Sequence, residues 1–335
     1  MVEVAPPQQQ RRARFDMYEI LALVAPFFGL IFLGFFSGRV AKLPEEGLAW
    51  LNFFIIYLAL PALFFDLLST TPLDALQGWS FIIITTLCTY VVYMLAVFVA
   101  MLRGARLDEA AMQGVAGSYS NIGYMGPGLT LSVLGSPAAV PTALIFCFDN
   151  ALQFILTPIL MAMSGTSQER PLTIALTVAR KILLHPFIVA SAVGILAAAT
   201  QFQTPDSLQR VIDFLSGAAA PCALFAMGVT IALRPVTRVP VEVPWLLCVK
   251  LVVHPVLIWV LLSWAGDYEP IWVYTAVLMA SLPPALNVFV MARQYDVWIE
   301  RASSMVLVGT VVSIPTLAFM ILLVTGQHLP ADLFP

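Results

Sequence analysis

The sequence predicts an all-α integral membrane protein with ten transmembrane helices, arranged as two inverted five-helix repeats whose fourth and ninth helices are broken. The prediction depends on composition, on the spacing of apolar segments and on an internal repeat. Of the 335 residues, 60% are hydrophobic and 10% are charged, whereas soluble domains carry about 45–50% apolar and about 25% charged residues. The apolar residues form long runs instead of alternating with polar ones, which favours helices over a barrel.

Ten apolar segments approach the roughly 20 residues that a helix needs to cross a bilayer. They cover residues 18–38, 47–68, 79–102, 110–134, 138–164, 178–200, 208–233, 244–265, 270–293 and 302–325. The connections between them leave no room for a soluble domain. Residues 1–16 contain two prolines, three glutamines and three arginines and are predicted to form a disordered tail.

The charges predict the orientation in the membrane. Eleven Lys and Arg residues fall in the loops between odd and even segments, whereas the opposite loops hold only Arg210. Positive loops face the cytoplasm, so we expect both termini on the outer side of a bacterial inner membrane. The tail arginines contradict this orientation, and a natural start at Met17 would remove the contradiction.

Several classes of function are disfavoured. A net charge of -3 without a basic stripe predicts no nucleic-acid partner. The four cysteines lie in apolar runs without a C-x-x-C pair, so no zinc site or disulfide framework is expected. Only Asp149 lies deep in a span, whereas an aspartyl protease needs two carboxylates there. No H-E-x-x-H or Walker motif is present. We therefore predict neither an enzyme nor a bound cofactor.

An internal repeat predicts the architecture. Three pairs lie 160 residues apart: Pro26 and Pro186, Gly34 and Gly194, Pro61 and Pro221. Two further pairs lie 166 residues apart: Trp79 and Trp245, Asn121 and Asn287. The first repeat is assigned to residues 17–165 and the second to 166–335. Because each half has five spans, the second half enters the membrane in the opposite sense, which is a common plan of secondary transporters.

The fourth and ninth segments carry matching breaks. Four glycines and Pro127 lie close to Asn121, and Pro283-Pro284 precede Asn287. Proline interrupts helical hydrogen bonding, and glycine lowers the cost of non-helical backbone. Matching breaks in two halves point to a transporter's substrate site. The two asparagines hold the substrate or, alternatively, plug the site where two broken helices meet. Half-helix N-termini there would suit an anion.

Asp149 is the candidate for ion coupling, because intramembrane carboxylates mark ion pathways. Asn150 and Gln153 add polarity around it. The alternative is a buried acid that hydrogen-bonds to a neighbouring helix.

Two Lys-x-x-x-His-Pro motifs place Lys181 near His185 and Lys250 near His254, each pair on one helix face. These cations would suit an anionic substrate. The favoured interpretation of both lysines, however, is that they snorkel to the interface.

Four polar or helix-bending residues are weaker candidates. Asn52 and Pro61 in segment two line a cavity or pack helices together. Ser118 and Ser120 offer hydroxyls to a cavity or bond within their own helix.

The chain resembles the auxin efflux carrier family. The resemblance rests on Asn-Ile-Gly-Tyr-Met-Gly-Pro at 121–127, Leu-Pro-Pro-Ala-Leu-Asn-Val-Phe-Val-Met-Ala at 282–292 and Leu-Pro-Ala-Leu-Phe at 60–64, and it covers nearly the whole chain after residue 17. It implies that helices four and nine cross, that helices one, two, six and seven form a scaffold, and that helices three to five and eight to ten move. It leaves open a homodimer through the scaffold. The long central loop of the plant exporters is absent, so their phosphorylation control is not carried over.

The resemblance implies secondary transport of a small organic anion, either a dicarboxylate such as malonate or an auxin-like weak acid, by alternating access driven by a proton or sodium gradient. A sodium-coupled carrier of the bile-acid symporter type is the alternative, and a passive channel is a further one. The expected substrate residues are Asn121, Gly123, Tyr124, Pro127, Pro283, Pro284 and Asn287.

Overall fold

The computed structural model describes residues 17–41, 45–71, 78–165, 176, 180, 183–233, 239–266, 268–326 and 328–334. Within these residues the fold is helical, and the β-type pairing is limited to one isolated antiparallel bridge between Ser120 and Pro284. The all-α prediction is therefore confirmed. The predicted tail, residues 1–16, and Lys181 lie outside the described residues.

The helices are numbered here in chain order. They are α1 (Met17–Ala41), α2 (Leu48–Ser69), α3 (Trp79–Leu102), α4 (Leu107–Ser118), α5 (Gly126–Leu134), α6 (Ala139–Met163), α7 (Pro186–Ala199), α8 (Asp206–Ala232), α9 (Val243–Ala265), α10 (Pro270–Ser281), α11 (Asn287–Tyr295) and α12 (Ile299–Thr325).

Six of these helices, α2, α3, α6, α8, α9 and α12, are long and apolar enough to cross a membrane. Each has at least 22 residues, and about 20 are needed at a rise of 1.5 Å per residue. Large apolar side chains such as Phe36, Trp79 and Phe214 are more than 60% exposed. Such a surface suits lipid rather than water, so this is a multi-pass membrane protein.

The predicted breaks in segments four and nine are present. Segment four consists of α4 and α5, and segment nine consists of α10 and α11. Pro127 is the second residue of α5, where the missing N–H costs no helical hydrogen bond. Pro283 and Pro284 lie in the stretch between α10 and α11, which begins with extended backbone at Leu282.

Segment six differs from its predicted continuous helix over 178–200. His185 has extended backbone (φ -66°, ψ 131°), and α7 begins only at Pro186. The physical reason is that the residue before a proline is disfavoured from the helical region. The consequence is that His185 lies at a helix start instead of inside a helix.

Close backbone contacts join α1 to α8 and α2 to α7. A Cβ on Gly34 would lie 2.2 Å from the carbonyl oxygen of Phe225, and one on Gly194 would lie 3.0 Å from that of Phe65. Both members of the first contact lie 160 residues from their counterparts in the second. Small residues allow such close approach between membrane helices. The remaining long helices, α3, α6, α9 and α12, pack with the broken ones.

We expect Gly34→Ala to lower the free energy of unfolding by about 1–3 kcal/mol, because the added methyl group overlaps the Phe225 carbonyl. The measurement is the thermal unfolding midpoint in detergent. Gly29→Ala is the matched control, since a Cβ at Gly29 meets no atom within 4 Å. Equal midpoints for the two variants would contradict the close contact.

Candidate functional site

The two broken helices meet through their non-helical stretches. The Asn121 N–H donates to the Pro283 carbonyl at 2.8 Å, and the Ala285 N–H donates to the Tyr119 carbonyl at 3.0 Å. These bonds flank the bridge between Ser120 and Pro284. They supply partners for backbone groups that would otherwise be unpaired at bilayer depth, where each unpaired group costs several kcal/mol.

The register of this crossing separates the two asparagines. Because Ser120 pairs with Pro284 in an antiparallel bridge, the position across from Asn121 is Pro283, and Asn287 lies four residues further along the chain. The side chains accordingly have different partners. The Asn121 amide contacts the Met227 sulfur at 3.2 Å, whereas the Asn287 amide donates to the Tyr119 hydroxyl at 2.8 Å. The equal spacing in the sequence does not make the two residues equivalent at the crossing.

A cavity of about 110 Å³ lies beside the crossing. Cavities of roughly 150 Å³ can hold a molecule of the size of benzene, so this one suits a small solute. Seven of the predicted site residues line it: Ser120, Asn121, Gly123, Tyr124, Asn150, His185 and Asn287. The other lining residues are Ile56, Leu60, Tyr119, Phe146, Phe154, Phe187, Ala285 and Leu286.

Tyr119 is the lining residue that the sequence reasoning missed. Its hydroxyl accepts from the Asn287 amide and donates to the Asn150 side-chain oxygen, and the Asn150 amide donates to the Phe146 carbonyl at 2.7 Å. This chain of hydrogen bonds links α11, the end of α4 and α6. The signal in the sequence that could have identified Tyr119 is its position between Ser118 and Ser120, in a glycine-rich break.

The electrostatics of the cavity favour an anion. Its described lining contains amides, hydroxyls and the imidazole of His185, but no Asp, Glu, Lys or Arg side chain. Two helices start at its edge: α11 at Asn287, and α5 just after Tyr124. A helix N-terminus carries partial positive charge, although in α11 the N–H groups of Val288, Phe289 and Val290 bond to the Ala285 and Leu286 carbonyls. The arrangement can therefore bind a carboxylate.

A second buried polar cluster includes the predicted Asp149. One carboxylate oxygen accepts from the Thr89 hydroxyl at 3.0 Å, and that hydroxyl lies 3.4 Å from His254 Nε2. The other oxygen, Oδ1, is buried without a hydrogen-bond partner among the described residues. Lys250 lies one helical turn before His254 on α9 and therefore adjoins this cluster. Asp149 and His254 do not line the cavity, so the structure separates the coupling candidate from the substrate candidates.

The interpretation that Lys250 snorkels to the interface is wrong. Lys250 is 0% exposed, and its ammonium donates to the Ala280 carbonyl in the last turn of α10. It lies seven residues into α9, roughly 10 Å along the helix. The side chain cannot carry its charge to the interface, because α3, α4 and α10 pack around this part of α9. The local backbone is a π-helical turn at Val249–Val253, a feature frequent at functional sites.

Gln153 and Ser118 form a link between α6 and α4. The Gln153 amide donates to the Ser118 hydroxyl at 2.8 Å, and that hydroxyl donates to the Gly114 carbonyl at 2.8 Å. Ser118 thus bonds within its own helix, which was one of the two alternatives predicted for it; the other was a hydroxyl in the cavity. Ser120 differs, since its hydroxyl points to the Ala280 carbonyl at 3.5 Å.

Helix α2 presents different residues to the cavity from those predicted. Its lining residues are Ile56 and Leu60, whereas Asn52 and Pro61 are half-buried elsewhere on the helix. Pro127, Pro283 and Pro284 shape the breaks without lining the cavity.

Comparisons with known proteins give a consistent result. The family described as "Membrane transport protein" matches residues 19–321. A protein of Rhizobium meliloti (strain 1021) named "Putative malonate transporter" is 54% identical over 95% of this chain and 100% of its own length. An "Uncharacterized transporter" of Methanothermobacter thermautotrophicus is 24% identical over 86% of this chain and 93% of its own. Auxin efflux carrier component 1 of Arabidopsis thaliana is 28% identical over 45% of this chain and 25% of its own.

We expect Tyr119→Phe to lower the free energy of unfolding by about 1–3 kcal/mol, because the Asn287 amide and the Asn150 oxygen both lose a buried partner. The thermal unfolding midpoint in detergent measures the loss. Tyr90→Phe removes the same hydroxyl from a side chain that is 39% exposed on α3 and serves as the control. An unchanged midpoint for Tyr119→Phe would show that this chain of bonds contributes nothing to stability.

Proposed function

Because the chain belongs to the membrane transport protein family that includes the auxin efflux carriers, we propose that it is a secondary active transporter of a small organic anion. The observation that carries the proposal is the cavity at the crossing, whose lining is uncharged, hydrogen-bonding and placed at two helix starts. The name of the 54% identical relative favours a dicarboxylate such as malonate. An auxin-like weak acid is the second substrate class within the family.

Binding of the anion uses the crossing. The partial positive charge at half-helix N-termini stabilises carboxylates in transporters with broken helices. The amides of Asn121, Asn150 and Asn287 add donors that suit the same charge. The volume of about 110 Å³ supports a small acid over a large amphipathic one.

Alternating access follows from how the helices pack. Helices α1, α2, α7 and α8 pack with one another, and the crossing packs with the other long helices. The cavity is lined from both groups, by Ile56 and Phe187 on one side and Asn287 on the other. Movement of one group against the other would open the site to alternate sides. The matching contacts at Gly34 and Gly194 support a repeat of the two halves, and we infer from it the inverted five-helix arrangement with ten spans.

The coupling ion is proposed to be a proton carried by Asp149. Its buried carboxylate has one oxygen without a partner, and an intramembrane carboxylate is a site for proton uptake and release. A sodium site would use backbone carbonyls at a helix break. At this break the ammonium of Lys250 already contacts the Ala280 carbonyl, which favours protons over sodium.

The proposal also assigns a membrane and an orientation. The loops between odd and even segments hold eleven Lys and Arg residues, whereas the opposite loops hold one. This bias favours an orientation in the cytoplasmic membrane with both termini outside. Association of two copies through α1, α2, α7 and α8 stays a prediction.

The test of coupling is uptake of labelled malonate into proteoliposomes with an imposed pH gradient. We expect wild-type protein to accumulate malonate, and Asp149→Asn to lose accumulation but keep exchange of labelled for unlabelled malonate, because its side chain cannot carry the proton. Asp213→Asn, an exposed residue of α8, is the control. Accumulation by Asp149→Asn at the wild-type rate removes the coupling role. Wild-type protein that moves neither malonate nor indole-3-acetate under a pH or sodium gradient contradicts the proposed function.

The test of the binding site is the concentration dependence of transport. Asn121→Ala and Asn287→Ala are each expected to raise the KM for malonate roughly ten- to a hundredfold, since each removes a donor to a charged ligand. Asn52→Ala, which lies on α2 away from the cavity lining, should leave the KM unchanged. Wild-type kinetics in both cavity variants would move the substrate site away from the crossing.

A further inference from the structure

His185 lies in the cavity wall with an unused hydrogen-bonding group. It precedes α7 in an extended conformation and lines the cavity. The centroid of its ring lies 4.1 Å from the ring centroid of Phe187 and 6.1 Å from that of Phe154. The Nδ1 atom is buried and has no hydrogen-bond partner among the described residues. A buried polar atom without a partner costs free energy that a ligand can recover.

The wall around His185 is otherwise aromatic. Phe187 packs edge-on against Phe146 at 4.4 Å, and Phe146 stacks on Phe64 at 4.3 Å. None of these rings donates or accepts a conventional hydrogen bond. The imidazole and the Asn150 amide are the polar groups of this wall, and the Asn150 amide already donates to the Phe146 carbonyl, whereas the amides of Asn121 and Asn287 belong to the crossing.

We propose that His185 binds the second carboxylate of a dicarboxylate substrate and thereby sets the preference for two-carboxylate acids over monocarboxylates. This rests on the proposed function, in which the crossing holds the first carboxylate. A neutral imidazole donates one N–H, and a protonated one donates two and adds a positive charge. An uncharged aromatic wall without this residue would reject a second carboxylate, because a buried unpaired charge is costly.

The position of His185 gives the second contact a further consequence. His185 is attached to α7, which packs along α2, whereas Asn287 begins α11 in the other group of helices. A dicarboxylate held at both ends bridges the two groups. A monocarboxylate held at the crossing contacts only one of them through its charge.

The experiment compares malonate with its monomethyl ester, which keeps the carbon skeleton but has one carboxylate. Binding of each ligand to purified protein in detergent is measured by isothermal titration calorimetry. His185→Phe keeps a ring between Phe154 and Phe187 without nitrogens. We expect it to weaken malonate binding roughly ten- to a hundredfold and to leave binding of the half-ester within about twofold. His185→Asn, which keeps a donor, should recover part of the malonate affinity, and His328→Gln, an exposed control, should change neither.

Three results would overturn the assignment. Equal affinities of the wild-type protein for malonate and the half-ester would show that no second carboxylate site exists. This result requires no variant. Equal weakening of both ligands by His185→Phe would assign the residue a packing role. Unchanged malonate binding in His185→Phe and His185→Asn would remove it from the site. Wild-type protein that binds malonate but not preferentially overturns only this inference, whereas protein that binds neither ligand overturns the proposed function with it.

Discussion

The structure depends on how two helices that stop inside the bilayer satisfy their backbone. Each break frees N–H and C=O groups that lipid cannot pair, at several kcal/mol apiece. The Asn121 N–H donates to the Pro283 carbonyl, and the Ala285 N–H donates to the Tyr119 carbonyl. Each break therefore supplies hydrogen-bond acceptors for the other. The two adjacent prolines, Pro283 and Pro284, contribute no N–H at all, so fewer donors need partners there. The crossing is therefore stable only when both breaks are present and in register.

The same geometry separates two kinds of polar site. The second half-helices start at the cavity, where partial positive charge suits an anion. The first half-helix α10 ends near Ala280, where partial negative charge suits a cation, and the ammonium of Lys250 lies there. Asp149, Thr89 and His254 form a separate hydrogen-bonded cluster, with Lys250 one helical turn before His254 on α9, and none of the three lines the cavity. A helix broken in mid-membrane thus presents opposite ends to the substrate and to the coupling group.

Much of this could be predicted from local sequence. The breaks were found because prolines and glycines act on the backbone of their own neighbourhood, and Asn121 and Asn287 were found because they lie beside those breaks. Asn150 was assigned to the polar surroundings of Asp149, whereas the structure places it in the cavity lining. Tyr119 was missed because an aromatic residue in an apolar segment looks like packing until its hydroxyl is seen between Asn287 and Asn150. Lys250 was misplaced because its distance from the helix end is readable in the sequence, but the helices packed around it are not.

By itself the sequence determined that the chain is helical, lies in a membrane and has breaks in segments four and nine, since composition and proline chemistry are properties of the chain at short range. Only the tertiary structure decided which side chains share a cavity. The crossing pairs Ser120 with Pro284 and not Asn121 with Asn287, although the asparagines match in the sequence. The break before Pro186 places His185 beside Phe154, 31 residues away in the chain. Such contacts depend on helix packing and on the register of backbone hydrogen bonds, which no local pattern of residues encodes.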